Sequence, residues 1–216
     1  MTIDFYQIPE SPPCRTVIFT AQHLRIKLND KHLDLFTGEH LKPEFLKINP
    51  QHTVPVINDD GFYLTESRAI ATYLVNKYAP NNPIYPEDPK KRAVIDRMLY
   101  LDTSLFAVLR DMMMPLWQKG TLPSQELLEA LKKQLTFFEE FLGKTSYAAA
   151  DHITLADFSF AANIEHLKIL NIDLSGYPRI TAWMQKLKKE IPNFHEINEV
   201  PVQKCKEYFK NKKLIS

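Results

Sequence analysis

The chain has 216 residues, of which 44% are hydrophobic and 25% charged, a balance typical of a folded globular protein and unlike that of a disordered one. Its 27 basic and 26 acidic residues leave a net charge of +1, so no overall field favours binding to nucleic acid or to an anionic membrane. No apolar run approaches the roughly 20 residues that a helix needs to cross a bilayer, so we expect no membrane span.

Two cysteines, Cys14 and Cys205, make up the thiol content of the chain. They form no CxxC pair and no cysteine–histidine cluster with metal-site spacing, so we expect neither a disulfide framework nor a bound metal. The first ten residues, MTIDFYQIPE, lack the basic and apolar segments of a signal peptide. Together these features predict a protein of a reducing compartment, the cytoplasm.

The first eighty residues alternate between strand and helix patterns. Asp59-Asp60-Gly61 lies between two apolar runs, which indicates a β-hairpin. The predicted elements are strands at 3–8, 32–36, 54–58 and 62–64, a helix at 14–24 and a second helix from about residue 67. This order, β-α-β followed by β-β-α, predicts a small α/β domain at residues 1–80 with helices against a mixed sheet.

A change in composition follows at residues 79–89, which read APNNPIYPEDP. The four prolines in this stretch are typical of a linker, which we place at 81–88. Asp88 and Pro89 then suit the N-cap and the first position of a new helix.

Beyond the linker the strand patterns disappear. Apolar residues recur at helical spacing up to Pro115, where that helix should end or kink, then at 127–138, and again from Pro178. The lysine-rich stretch 204–213 is typical of an amphipathic helix with a solvated face. Residues 89–216 are therefore predicted to form an all-helical domain.

One helix start in that domain is unusually explicit. Thr154 and Asp157 have the spacing of a capping box, and Ile153 and Phe158 occupy the positions of a hydrophobic staple. Because both devices stabilise a helix start, we interpret this motif as structural.

Two candidate nucleophiles lie in the stretch ESPPCR at 10–15. Ser11 suits the N-cap of the first helix and Pro12 its first position, which places the serine at the exposed helix start after the first strand. Cys14 lies on the apolar stripe and should face the core. The spacing matches a redox C-P-x-C motif with serine in place of the first cysteine. A serine cannot exchange disulfides, but it can donate a hydrogen bond to another molecule's thiolate; a serine that only caps the helix is the alternative.

A second constellation surrounds NPQHTVPV at 49–56 and TESRAI at 65–70. A proline at a strand start cannot donate to the sheet, and a cis Val54–Pro55 bond would turn the backbone groups of Val54 outward to pair with an extended ligand. The free amides at the start of the next helix, at Glu66 and Ser67, suit a carboxylate, and the Glu66 side chain suits an ammonium group. A ligand with both groups would fit, and a simple helix start is the alternative.

Taken in order, the stretches SPPCR, GEHLKPEFLKINPQHTVPVI, LTESRAIATYL, YPEDPKKRAVI and ITLAD resemble the cytosolic glutathione transferases, and most of all the insect delta class, which uses a serine in place of a tyrosine. The resemblance covers nearly the whole chain. It implies a thioredoxin-like N-terminal domain that binds glutathione and an all-helical C-terminal domain that supplies much of a hydrophobic-substrate pocket. It further implies an enzyme that conjugates glutathione, as cosubstrate, to hydrophobic electrophiles, and a homodimer.

The resemblance also implies roles for individual residues. Ser11 would hydrogen-bond the glutathione sulfur as the catalytic residue. The other implied glutathione contacts are Val54 and cis-Pro55 at the cysteinyl part, Glu66, Ser67 and Arg68 at the γ-glutamyl part, and His40 and His52 at the glycyl carboxylate. The implied substrate-pocket residues are Phe106, Leu109, Met113, Met114, Trp117, Tyr208 and Phe209. For each pocket residue, an ordinary place in the helical core is the alternative.

Two features depart from the family pattern. The run Met112-Met113-Met114 replaces the aromatic residues usual there, which favours a pocket that adapts its shape. Glu10 stands where a glycine commonly precedes the serine, and a carboxylate there would disfavour a thiolate unless it turns to solvent.

Two other functions compete with conjugation. A non-catalytic protein with the same fold could sequester apolar ligands, but it would not need Ser11, Glu66 and Ser67 together. A thiol–disulfide oxidoreductase would need Cys14 exposed and reactive.

Overall fold

The computed structural model describes residues 2–215. Its strands are β1 (Ile3–Gln7), β2 (Leu28–His32), β3 (Val56–Asp59) and β4 (Phe62–Thr65). Its α-helices are α1 (Pro12–His23), α2 (Pro43–Leu46), α3 (Ser67–Tyr78), α4 (Pro89–Lys119), α5 (Gln125–Leu142), α6 (Leu155–His166), α7 (Pro178–Glu190) and α8 (Val200–Asn211).

The four strands form one mixed sheet in the order β2-β1-β3-β4. β1 runs parallel to β2 and antiparallel to β3, and β3 pairs antiparallel with β4. Asp60 and Gly61 both have positive φ, 53° and 90°, as the two-residue turn of a tight hairpin requires. The predicted mixed sheet and hairpin are confirmed.

The second strand lies four residues earlier than predicted. It spans Leu28–His32, and the alternating run at 33–36 follows it. Four of its five residues are exposed because β2 is an edge strand that contributes little to the core. An edge strand of this kind carries no apolar alternation, whereas the alternation that begins at its last residue, His32, continues through the loop at 33–36.

Helix α1 is buried more completely than a one-sided apolar stripe would suggest. Cys14 and Val17 pack into the core between the sheet and α3, as predicted, while Phe19 on the other side packs with Phe158 of α6 at a centroid distance of 5.8 Å. The helix therefore lies between the α/β part and the helical part of the chain, with core on both sides.

Helix α4 begins at the N-cap that the sequence predicts. The Asp88 carboxylate accepts a hydrogen bond from the amide of Lys91 at 2.8 Å, and Pro89 is the first helical residue. Pro115 does not end α4, which continues to Lys119 and stops at Gly120, whose φ of 67° favours glycine. A proline removes one hydrogen bond of a long, packed helix without unfolding the turn that follows.

The capping box is confirmed, and its acid does more than cap α6. Asp157 Oδ2 accepts from the amide and hydroxyl of Thr154 at 2.8 and 2.9 Å. Its Oδ1 accepts from the amide of Ala148 and from Nε1 of Trp183, both at 2.8 Å. The carboxyl group, fully buried, thus joins α6, α7 and the preceding loop. Ile153 packs against the core that contains Phe158.

The overall architecture agrees with the fold class expected from the sequence: a thioredoxin-like α/β domain is followed by an all-helical domain. The α/β part closes with α3 at Tyr78, and every α-helix from Pro89 to residue 215 belongs to the helical part. The helices described across residues 2–215 include none long and apolar enough to cross a membrane.

Candidate active site

Ser11 stands at the junction between the sheet and α1. Its amide donates to the carbonyl of Ile8 just after β1, and its own carbonyl accepts from the amide of Arg15. The residue has the predicted N-cap position, with φ −75° and ψ 122°, but its hydroxyl makes no capping hydrogen bond. The hydroxyl shares a hydrogen bond with the Cys14 thiol, and because the side chain is partly exposed it can also reach a bound molecule. The expected capping role of this side chain is not observed.

Cys14 is the core thiol that the sequence predicts. Its side chain is fully buried, and burial raises the pKa of the thiol to about 12, although a hydrogen bond with Ser11 acts in the opposite direction. A neutral, inaccessible thiol cannot act as a nucleophile. The burial of Cys14 therefore argues against a role for this residue in disulfide exchange.

Arg15 is a buried cation behind the serine that sequence reasoning missed. Its Nη1 donates to the carbonyls of Pro9 and Glu10 at 3.2 and 2.8 Å. Its Nη2 donates to the carbonyl of Ala162 at 2.8 Å, and its Nε donates to Oδ1 of Asn198 at 2.8 Å. Burial lowers the pKa of the guanidinium to about 10, which leaves it charged at neutral pH. The residue thereby ties the turn before the serine to the helical domain.

The Val54–Pro55 bond is cis, as the sequence suggested. It lies directly before β3, which pairs with β1 beside the start of α1. Val54 is not part of a strand, and within residues 2–215 its amide and its carbonyl form no hydrogen bond with the backbone of a turn or loop. Val54 lies two residues before the first strand residue, Val56, so its polar backbone groups are candidates to pair with an extended ligand.

Glu66 and Ser67 form the start of α3. Glu66 is an exposed N-cap residue with φ 68° and ψ 103°, a backbone conformation that costs a non-glycine residue about 1–3 kcal/mol. Ser67 is buried as the first helical residue. Such strain is concentrated at ligand-binding sites, where the surrounding structure holds it. The unpaired amides of the helix start and the adjacent carboxylate offer complementary contacts to an ammonium–carboxylate pair.

Arg68 does not project freely toward a ligand. Its guanidinium pairs with the carboxylate of Asp102 on α4, with Nε 3.0 Å from Oδ2. Asp102, fully buried, also accepts from the hydroxyl of Ser159 and from Nδ2 of Asn163, the latter at 2.7 Å. This network joins α3 to α4 and α6. In the sequence, Asp102 is an acidic residue one turn from Met98 on the apolar face of α4. That position could have indicated a buried carboxylate with a charged partner.

His40 and His52 lie together, with ring centroids 6.1 Å apart. His40 is half-buried, and both its burial and the neighbouring His52 lower the pKa of its imidazole. His52 is exposed and has a φ of 47°. The structure therefore brings the two histidines into one cluster, and their contact with a glycyl carboxylate stays a prediction.

An apolar cavity of about 170 Å³ opens beside Ser11, between the α/β part and the helical part. Six of the seven predicted pocket residues line it, and the seventh, Tyr208, packs its ring 4.7 Å from that of Phe36 in the cavity wall. The six lining residues are Phe106, Leu109, Met113, Met114, Trp117 and Phe209. Glu10 also borders the cavity, and its side chain is only partly exposed.

Several lining residues were not predicted from the sequence. The alternation at 32–36 predicts a strand for Leu35 and Phe36, Cys205 lies in the stretch predicted as an amphipathic helix, and no motif singles out His166. Phe36 is 41% exposed and forms an edge contact with Trp117 at a centroid distance of 5.3 Å. No local signal places these four side chains at one cavity, because they come from distant parts of the chain.

Comparison with known families agrees with this geometry. Residues 5–82 match the family described as "Glutathione S-transferase, N-terminal domain". Residues 105–190 match "Glutathione S-transferase, C-terminal domain". The described residues contain no group of three metal-ligating side chains that could hold an ion.

Similar solved structures include insect glutathione transferases of the delta and epsilon classes. A delta-class enzyme of Nilaparvata lugens is 40% identical, with a TM-score of 0.91 and coverage of 97% of this chain and 99% of that chain. A glutathione transferase of Bombyx mori is 35% identical, with a TM-score of 0.90 and coverage of 97% and 98%. An epsilon-class enzyme of Musca domestica is 36% identical, with a TM-score of 0.91 and coverage of 99% and 100%. These matches do not favour a non-catalytic binding protein. The chain therefore belongs to the glutathione S-transferase family and is an enzyme that uses glutathione as its cosubstrate.

Proposed function

We propose that the cavity beside Ser11 is where the thiolate of glutathione attacks hydrophobic electrophiles, and that Ser11 stabilises this thiolate. One observation carries the proposal: the Ser11 hydroxyl caps no helix amide, and Ser11 lies in the wall of a largely apolar cavity. An exposed N-cap serine normally uses its oxygen on the helix. Here the hydroxyl contacts the neutral Cys14 thiol instead, and it remains able to donate a hydrogen bond to a group in the cavity.

The chemistry follows from the position of the serine. A free thiol has a pKa of about 8.5, so only a few per cent is ionised at neutral pH. A hydroxyl hydrogen bond and the positive end of α1 both favour the charged form. A lowering of about two pKa units corresponds to roughly 2.7 kcal/mol and would leave most bound glutathione ionised. The buried cation of Arg15 adds a favourable field from behind the turn.

The rest of glutathione is proposed to extend away from the cavity along the N-terminal domain. The backbone of Val54 would pair with the cysteinyl unit, and Glu66 and Ser67 would hold the γ-glutamyl ammonium and carboxylate. Arg68 would act through its contact with Asp102 by keeping the start of α3 in place. The two clustered histidines, His40 and His52, would face the glycyl carboxylate.

The pocket residues are proposed to hold the electrophile next to the sulfur. Phe106, Leu109 and Met113 present apolar surface from one face of α4, and Phe209 presents it from α8. An apolar wall excludes water and positions a hydrophobic electrophile for attack, which supplies much of the remaining rate enhancement.

The test compares wild type, Ser11→Ala and Cys14→Ala in the conjugation of 1-chloro-2,4-dinitrobenzene. We expect Ser11→Ala to lose about tenfold or more in kcat/KM near neutral pH, and to show a higher apparent pKa in the ultraviolet absorbance of the bound thiolate. Cys14→Ala should keep most of the turnover. Full turnover in Ser11→Ala together with its loss in Cys14→Ala would contradict the assignment, and binding of glutathione without turnover by wild type would favour sequestration.

The assembly and the location are also proposed. We propose a homodimer, which is supported by large exposed aromatic side chains on the edge strand β4 and on α4, namely Phe62, Tyr63 and Tyr100. Light scattering coupled to size-exclusion chromatography tests this, and a monomer at micromolar concentration would contradict it. A cytoplasmic location is supported by the two unpaired, buried cysteines.

A further inference from the structure

The wall of the cavity contains a buried imidazole that the proposed function does not use. His166, the last residue of α6, lines the cavity and is only 7% exposed. Its Nδ1 is out of reach of solvent and has no hydrogen-bond partner within residues 2–215, so a hydrogen bond to a molecule in the cavity would come from Nε2. Buried polar atoms in folded proteins nearly always have a hydrogen-bond partner, so an imidazole of this kind calls for an explanation.

The imidazole is distinct from the other polar groups that line the cavity. Arg110 is exposed and pairs with Asp111 at 2.9 Å, and Glu10 is only partly buried. The Cys205 thiol is buried, and a thiol is a weak hydrogen-bond donor. His166 is thus the buried side chain in this wall that can form a strong hydrogen bond to a bound molecule.

The surroundings of the imidazole favour its neutral form. Burial and the nearby positive charge of Arg15 lower its pKa well below the usual value. A neutral imidazole carries one N–H donor and one acceptor nitrogen. In an apolar wall, a hydrogen bond from such a donor is stronger than in water, because solvent does not compete for the acceptor.

We infer that His166 is a specificity-determining residue that favours electrophiles carrying an oxygen acceptor conjugated to the reacting carbon, such as α,β-unsaturated aldehydes and nitroaryl halides. This inference rests on the proposed function of the cavity. When the glutathione thiolate adds to the β-carbon of an enal, the C–S bond forms and the C=C electron pair moves to leave an enolate oxygen. The enolate then takes a proton from water at the α-carbon to give the saturated thioether. His166 donates its Nε2–H to the oxygen on which the negative charge develops.

An alkyl halide provides the matched comparison. There the thiolate displaces the halide at a saturated carbon, the halide ion carries the electron pair away, and no oxygen accepts a hydrogen bond. A contribution of His166 to packing alone would affect both classes of electrophile equally. A hydrogen bond to the developing oxyanion affects only the first class.

The experiment measures kcat/KM of wild type, His166→Phe and His166→Gln with trans-2-nonenal and with 1-iodohexane. We expect His166→Phe to lose about tenfold with the enal, the size of one good hydrogen bond, and less than twofold with the iodide. His166→Gln, which keeps an N–H donor, should restore most of the enal activity. The matched control is His152→Phe, because His152 is an exposed histidine that does not line the cavity. This substitution should change neither rate. Equal losses for both electrophiles in His166→Phe, or no loss for either, would overturn the inference.

Failure of the proposed function would look different, since wild type would then turn over neither electrophile. In that case calorimetric binding of S-benzylglutathione and S-(4-nitrobenzyl)glutathione decides the question for His166. Tighter binding of the nitro compound by wild type, lost in His166→Phe, supports the inference. A missing preference, or one that persists in His166→Phe, overturns it.

Discussion

The Nε of Arg15 donates to Oδ1 of Asn198 at 2.8 Å, across 183 positions of the chain. Asn198 in turn donates its Nδ2 to the carbonyl of Ala161 on α6 at 3.0 Å. Arg15 also holds the two carbonyls that precede Ser11. The placement of the serine hydroxyl thus depends on a residue from the far end of the helical domain.

Replacing Arg15 with lysine keeps the charge but removes the forked donor geometry. Lysine cannot satisfy the same four acceptors, so we expect the free energy of unfolding to fall by about 2–3 kcal/mol, as measured by urea denaturation. Turnover should fall as well, because the turn before Ser11 loses its anchor. The control is Arg25→Lys at an exposed position. A variant as stable and as active as wild type would contradict the positioning role of Arg15.

The buried carboxylate of Asp102 is predicted to hold the start of α3 in place. Asp102→Ala leaves the Arg68 guanidinium without its ionic partner, and breaking a buried pair in this way costs about 3–5 kcal/mol. We expect a lower unfolding midpoint and a weaker calorimetric affinity for glutathione. The exposed pair of Arg110 and Asp111 offers the comparison, and Asp111→Ala should change stability by less than about 1 kcal/mol. Equal effects of the two substitutions would contradict this prediction.

Glu199 should make stability depend on acid pH. Burial acts to raise the pKa of its carboxyl, but hydrogen bonds from Lys188 and His195 outweigh burial and bring it to about 2. Since the folded pKa lies below the unfolded value of about 4.3, this contribution to stability is present above that value and is lost as pH falls from about 4.3 towards 2. We expect urea midpoints of wild type to fall over this range, and Glu199→Gln to show a shallower decline.

The partner of Glu199 supplies the check on this explanation. Lys188→Gln removes the main hydrogen bond to the carboxylate, so it should flatten the same part of the pH profile. Identical pH profiles for wild type, Glu199→Gln and Lys188→Gln would contradict the assignment of acid sensitivity to the Glu199 carboxylate and its hydrogen bond with Lys188.

Asp157 is predicted to contribute far more than an ordinary helix cap. Its carboxyl group accepts four hydrogen bonds, from the amides of Ala148 and Thr154, the Thr154 hydroxyl and Trp183. Asp157→Ala leaves these buried donors unpaired, so we expect a loss of at least about 3 kcal/mol in urea unfolding. An altered fluorescence of Trp183 should accompany it. The exposed Asp151, which accepts one amide from Ser146, provides the control, and a loss no larger than that of Asp151→Ala would be evidence against the network.

The features that could be predicted from the sequence depend on interactions between residues close together in the chain. Ser11 followed by Pro12 marks a helix start, Cys14 falls on the apolar stripe, and the Asp88-Pro89 pair starts α4. Each of these depends on residues within one or two helical turns. The division into an α/β part and a helical part is readable for the same reason, because strand and helix periodicities differ over short windows.

Tertiary structure alone decided what surrounds the serine. The roles of Arg15, Asp102, His166 and Phe36 depend on contacts between distant segments of the chain. In these contacts α1 meets the turn at Asn198, α3 meets α4, and the loop after β2 meets α4. The position of β2 was missed for a related reason, since an exposed edge strand is held by backbone pairing with β1 and has no apolar pattern. Burial and hydrogen-bond partners are properties of the folded chain. Only the fold therefore determines which polar side chains find a partner within the protein and which, like His166, can form a hydrogen bond to a ligand.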